Sequence, residues 1–273
     1  MCDVQSPERA RRYKLAENAA QAVCVRGVDD AKAVIAARTR WPWSTAAHGP
    51  LPALLLMLSV VTGLVDAVSY LALGHVFVAN MTGNVVLLGF ALAGAPGLSV
   101  PASLAALVAF LLGALVGGRL TVRLASHRGH QLRAAGGCAA PLLLVAFVVA
   151  AITGEPVSEG ARYALIVPMG LAMGLQNATA RRLAVPDITT TVLTLTLTGV
   201  MADSRLAGGP GGRPARRLLA VGTIFLGALV GALLVVHVDL FIPLALASAL
   251  MGGAALLAHA LSDEHSEWAR GSA

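Results

Sequence analysis

Asp66, Asn80, Thr82, Gly83 and Asn84 interrupt an otherwise apolar stretch, GLVDAVSYLALGHVFVANMTGN, that runs from Gly63 to Asn84. A carboxylate well inside a membrane helix costs about 2.5 to 3.5 kcal/mol on insertion scales and normally faces a partner or a water cavity. Gly63, Asp66, Ala67 and Tyr70 share one helical face by their three- and four-residue spacing, which sets the carboxylate beside small residues with a phenol one turn on. Such a group suits coupling to an ion or proton. The competing reading is a latch, protonated or accepting hydrogen bonds from Asn80, Asn84 or the backbone.

A degraded copy of the pattern returns from Gly174 to Thr191 as GLQNATARRLAVPDITTT. It adds Gln176, Asn177, Asp187, Thr189, Thr190 and Thr191. Pro186 and Asp187 have the chemistry of a turn and an N-cap, and Thr82 or Asn84 could cap a first half-helix in the same way. Two half-helices whose N-terminal ends converge near the midplane would make a site for an anion or polar solute. The plainer reading of these amides and hydroxyls is interhelical hydrogen-bond glue, usually under about 2 kcal/mol per contact. Gln176 and Asn177, followed by Arg181 and Arg182, close a span, where the arginines act as interface anchors or as a cytoplasmic gate. His75, alone beside the first break, makes no metal site.

No catalytic constellation accompanies these groups: zinc spacing, a serine elbow and a phosphate loop are all missing. Neither enzyme activity nor a cofactor or metal is expected. Cys2, Cys24 and Cys138 have neither metal-ligand spacing nor even pairing, so no disulfide framework is implied.

The elements that must hold the polar groups follow from composition. With 57% hydrophobic and 12% charged residues in 273, the chain lies outside soluble usage and reads as a membrane protein in a lipid bilayer. Its formal charge of +6 is gathered in a tail and in loops between apolar segments, the positive-inside pattern rather than a nucleic-acid footprint. Residues 1–49 form a basic tail without a signal peptide, expected in the cytoplasm; its five acidic residues argue against a mitochondrial transit peptide. Trp41, Pro42 and Trp43 mark the entry to the bilayer.

Eight apolar segments follow, at residues 51–73, 76–94, 101–120, 134–153, 160–177, 188–201, 217–238 and 240–261, before a short polar tail at 263–273. If all eight crossed, the loop bearing Arg119, Arg123, Arg128 and Arg133 would lie outside. If the two polar segments, 76–94 and 188–201, instead enter and leave on one side, every clustered basic loop falls inside and only Arg162 faces outward. The expected fold is therefore an all-α polytopic bundle of six full spans plus two re-entrant or broken helices, with both termini cytoplasmic.

The motif LGALVG occurs at Leu112 to Gly117 and again at Leu226 to Gly231. Gly63, Leu64, Asp66 and Ala67 align with Gly174, Leu175, Asn177 and Ala178. Two membrane repeats, 50–153 and 154–262, explain this most simply. Three crossings per half make them inverted, whereas four would make them parallel. Gly113, Gly117, Gly227 and Gly231 have the spacing of close helix approach, packing the halves together or joining a homo-oligomer.

The two polar blocks resemble those of the YoaK-like family of uncharacterised bacterial multi-pass membrane proteins, a domain of unknown function, over roughly Leu51 to Leu261. The resemblance implies an integral inner-membrane protein of around six spans and carries no substrate or activity. From the residues themselves, the expectation is a small-solute transporter or channel with a polar pathway between the repeats. The alternative is a non-transporting assembly or sensor module whose polar residues are structural.

Overall fold

A computed structural model describes residues 48–154, 156–185, 193–209, 214–262 and 267–269. The basic tail through residue 47, and Asp187, Thr189, Thr190 and Thr191, lie outside the described residues. Those described form helices α1 (Leu51–Ala72), α2 (Met81–Leu92), α3 (Val100–Arg123), α4 (Arg128–Thr153), α5 (Glu159–Leu183), α6 (Leu193–Ala202), α7 (Pro214–His237) and α8 (Phe241–Leu261), with short 3-10 turns at Arg205–Ala207 and Glu267–Ala269. No strand occurs among the described residues.

Among the described residues, five helices, α1, α3, α4, α7 and α8, are long and apolar enough to cross a membrane. The 25 residues of α5 match them in length, at roughly 1.5 Å per residue against a core of roughly 30 Å, but Gln176 and Asn177 fall inside it. The expected end at Asn177 is corrected: the helix continues to Leu183, so both amides belong to the helix body rather than to its exit. The short helices α2 (12 residues) and α6 (10 residues) span about half that distance.

Local chemistry sets the boundaries. Ser99 and Ser158 cap α3 and α5, their hydroxyls accepting from Ala102 N and Ala161 N at 3.3 Å each. The cap of α2 is Asn80, whose Oδ1 accepts from Gly83 N at 3.4 Å. Thr82 and Asn84, expected as caps, lie within the first turn of the helix. After α1 the backbone turns through Gly74 (φ +90°) and His75 (φ +60°), a left-handed pair that reverses the chain.

On α3 and α7 the inward faces are built mainly of small residues, beside a core of large apolar side chains from α1, α4 and α5. The buried residues of α7 are Arg216, Ala220, Gly227 and Gly231, and those of α3 are all small. Leu111, Leu112, Leu115, Phe225, Leu226 and Leu233 point outward, where only lipid suits them. Small faces let backbones touch. A Cβ on Gly63 would overlap the Ile224 carbonyl, and one on Gly227 the Val60 carbonyl, so α1 lies directly on α7. In the same way a Cβ on Gly174 would overlap the Phe110 carbonyl and one on Gly113 the Leu171 carbonyl, which joins α5 to α3. The faces of Gly113, Gly117, Gly227 and Gly231 thus meet other helices of the same chain.

These contacts fix helix directions. Gly113 and Gly117 meet Leu171 and Leu175, so α3 and α5 run parallel; Gly227 and Gly231 meet Val60 and Leu64, so α1 and α7 also run parallel. Between α1 and α5 the order reverses. Gln176 bonds to Leu58 and Thr62 while Arg162 touches Gly74, so the two are antiparallel. Helices α4 and α8 are antiparallel too, with Ser248 Oγ donating to Ala140 O at 3.2 Å and Arg133 meeting His259 at 3.1 Å. It follows that residues 73–99 leave and rejoin the long helices at one end of the bundle, and that the connection from α5 to α7 does so at the other.

Candidate functional site

The first interrupted segment is held by two side chains, Asp66 and Asn84. One carboxylate oxygen of Asp66 accepts from Ala79 N at 2.8 Å and from Val78 N at 3.1 Å. Asp66 lies six residues before the end of α1, so residues 78 and 79 are drawn back about 9 Å along the helix. Extended backbone has no internal partners for its amides. Here the carboxylate supplies them.

Asn84 holds the same segment from the other side. Buried to 2% exposure, it accepts from Phe77 N and donates to Ser103 O, both at 3.4 Å, bridging the segment to α3. The ring of Phe77 stacks on Tyr70 (centroids 4.9 Å apart), and His75 meets the edge of Tyr70 at 5.1 Å. A Cβ on Gly83 would come within 3.0 Å of the Phe77 ring, which would have to shift to admit it. Thr82 and Asn80 are exposed. Of the expected pathway groups, Asp66, Tyr70, Asn80, Gly83 and Asn84 therefore converge on residues 73–84.

Gln176 and Asn177 do not join them. Gln176, 2% exposed, donates through Nε2 to Leu58 O at 3.2 Å and Thr62 Oγ1 at 3.0 Å, crossing from α5 to α1 one to two turns before Asp66. Its Oε1 is buried with no hydrogen-bond partner among the described residues. Asn177 Nδ2 donates back to Met173 O at 2.9 Å within its own helix. A cavity of about 10 Å³ borders Gln176 and Thr179, walled by Leu58, Leu132, Met251 and Ala254 among others. Asp66 is not part of its lining.

The family model described as "Protein of unknown function (DUF1275)" matches residues 54–257, about three-quarters of the chain, and reaches all eight helices. The chain belongs to the DUF1275 family. A curated relative, the UPF0700 transmembrane protein YoaK of Bacillus subtilis (strain 168), is 36% identical over 150 residues, 55% of this chain and 65% of that protein. The chain thus spans about two-thirds of that relative's length or slightly less. No solved structure matches. Membership and the apolar helices make this DUF1275 protein an integral membrane protein of a family whose function is unknown.

Several partners in this DUF1275 site escaped the sequence reading. Val78 and Ala79 contribute only backbone amides, for which no side-chain signal exists. Ser103 and Thr62 are single hydroxyls in apolar runs, and their role depends on which helix faces them. Arg162 had one signal, its isolation as the sole basic residue at its end. In the fold its guanidinium lies against Gly74, where a Cβ would be 3.4 Å from Nη1, and its Nε is enclosed with no hydrogen-bond partner among the described residues.

Proposed function

We propose that this DUF1275 protein moves a small polar solute across the bacterial inner membrane, as a transporter or channel. Its path runs along the contact of α1 with α5, between two inverted repeats of three crossings each. The observation that carries the proposal is the suspension of Val78 and Ala79 from Asp66. Non-helical backbone at membrane depth is tolerated where protein buries it or where it lines a water-filled cavity. Here protein buries Val76, Val78 and Ala79, while His75 and Asn80 are exposed.

The inverted repeat is supported by the directions of the equivalent helices, α1 against α5 and α4 against α8. The crosswise glycine contacts support it as well: Gly63 with Gly227 has its counterpart in Gly174 with Gly113. With the N-terminal end of α1 in the cytoplasm, Arg119, Arg123, Arg128, Arg133, Arg181, Arg182, Arg216 and Arg217 all fall on the cytoplasmic side. Arg162 stands beside the re-entrant segment at the outer mouth. Asp66 carries the coupling to an ion or proton by releasing and regaining the loop amides.

A second reading is favoured by the same bonds: an assembly or sensor module in which Asp66 and Asn84 only hold the fold. The two part in a strain lacking the protein. Transport predicts a shifted pool of at least one small polar metabolite, restored by the wild type and not by D66A present in the membrane at equal level. An unchanged metabolite profile on deletion ends the transport reading and favours the module, and full restoration by D66A removes the coupling role of Asp66.

A further inference from the structure

We propose that the first turn of α4 is a pH-sensitive clamp on one end of the bundle, closed while His127 is neutral and opened when its ring takes a second proton. His127 is the N-cap of α4, with extended backbone (φ −143°, ψ 106°), and its Nδ1 accepts from His130 N at 3.2 Å. A backbone amide can only donate, so Nδ1 must present a lone pair. An imidazolium carries hydrogen on both nitrogens and cannot cap. It would also set a positive charge at a helix N-terminus, where the macrodipole opposes it. Asn80, Ser99 and Ser158 cap α2, α3 and α5, and none of these side chains titrates near neutral pH.

The capped turn holds three neighbours. Arg128 Nη2 donates at 2.9 Å to the carbonyl of Leu183, the last residue of α5. Gln131, 3% exposed, donates through Nε2 to Leu124 O at 3.1 Å and Ala125 O at 3.4 Å, in the chain leaving α3. A Cβ on Gly129 would overlap Ser262, which closes α8. Release of the cap therefore loosens the ends of α3, α5 and α8 together. A second contact has the same polarity: Arg133 has only donors, so His259 Nδ1 accepts from its Nη1 at 3.1 Å, joining α4 to α8 while that nitrogen is unprotonated.

Among the described residues, the charged and titratable groups that adjoin the His127 ring are basic. His130 stacks on it, with centroids 3.8 Å apart and planes 18° apart. Arg128 follows it in the chain, and Arg133, bonded to His259, stands within the next two turns of α4. The folded chain holds the neutral ring, so protection is full at high pH and lost as pH falls. In the orientation proposed above this end faces the cytoplasm, and internal acid frees the end of α5, the helix beside the proposed path. That last step rests on the transport reading, whereas local exchange does not, so failure of the clamp and failure of transport are read apart.

Hydrogen exchange of the full chain in lipid nanodiscs tests the clamp, read from about pH 8 to about pH 5, the range in which histidines change charge, with the intrinsic pH dependence of amide exchange divided out. In the wild type, protection of residues 130–133 should fall about fivefold, the loss of one N-cap. The last turn of α5 should lose protection with it, and the first turn of α5, at the far end, should stay constant. H127N and H127S, caps that do not titrate in this range, should stay protected throughout. H130Q keeps the donating amide and should keep the step. So should D263N/E264Q, which removes the carboxylates next in sequence to Ser262; Asp263 and Glu264 lie outside the described residues. A flat wild-type profile overturns the proposal, as does a step that persists in both H127N and H127S. Should neither variant fold, ring-nitrogen NMR of His127 decides: a midpoint shared with the exchange step supports the clamp, and a different one overturns it.

Discussion

Asp66 and Ala79, thirteen residues apart, are joined by a 2.8 Å bond from backbone amide to carboxylate. That bond and its 3.1 Å neighbour from Val78 share one oxygen. Removing the side chain strands two amides inside the bundle, at about 1 to 3 kcal/mol each. Thermal unfolding in detergent should therefore rank wild type above D66N, which keeps an acceptor, and D66N above D66A. A D66A protein as stable as the wild type would mean that the segment is held by something else.

Asn84 and Asn80 should separate in hydrogen exchange. N84A loses the bridge from Phe77 to Ser103, so amides from Phe77 through α2 should exchange faster. N80A loses only a cap, worth about 1 kcal/mol, and the increase should be confined to the first turn of α2. Equal, uniform increases in both variants would contradict this division of labour.

The glycine contacts predict a sharp contrast between positions of similar sequence. At Gly63, Gly113, Gly174 and Gly227 a methyl group meets backbone, which cannot rotate aside, so alanine there should cost at least the roughly 1 to 3 kcal/mol of an overpacked core. Gly118 and Gly137 have nothing within 4 Å of a Cβ. Alanine at those two should stabilise by about 0.5 to 1 kcal/mol through helix propensity alone. Melting temperatures of the six variants would check this.

Sidedness follows from the helix directions. In a chain cleared of its three cysteines, Leu71→Cys, Ala93→Cys and Ser158→Cys should react with a membrane-impermeant maleimide from one face, and Ala125→Cys from the other. All four sites are exposed. Labelling of Leu71→Cys and Ala93→Cys from opposite faces would place α2 across the membrane and remove the re-entrant arrangement.

What the chain alone determined was one-dimensional. Apolar run length marked the long helices, because a bilayer demands about 20 such residues wherever they occur. The paired LGALVG motifs marked the helix faces able to approach closely. The charge asymmetry separated the basic loops from Arg162. Asp66, Asn80 and Asn84 stood out because polar atoms in an oily run are costly whatever they touch.

Tertiary structure decided the partners. Between helices in lipid there is no hydrophobic preference for one neighbour over another, so periodicity could not say that Gly63 meets Gly227 or that Gly174 meets Gly113. Nor could it say that Asp66 takes its hydrogen bonds from the backbone of Val78 and Ala79, since every residue carries that amide. Gln176 shows the same limit: in the sequence it closes a span, and in the fold it reaches Thr62 across 114 residues, because only the crossing of α1 and α5 brings an acceptor within its reach.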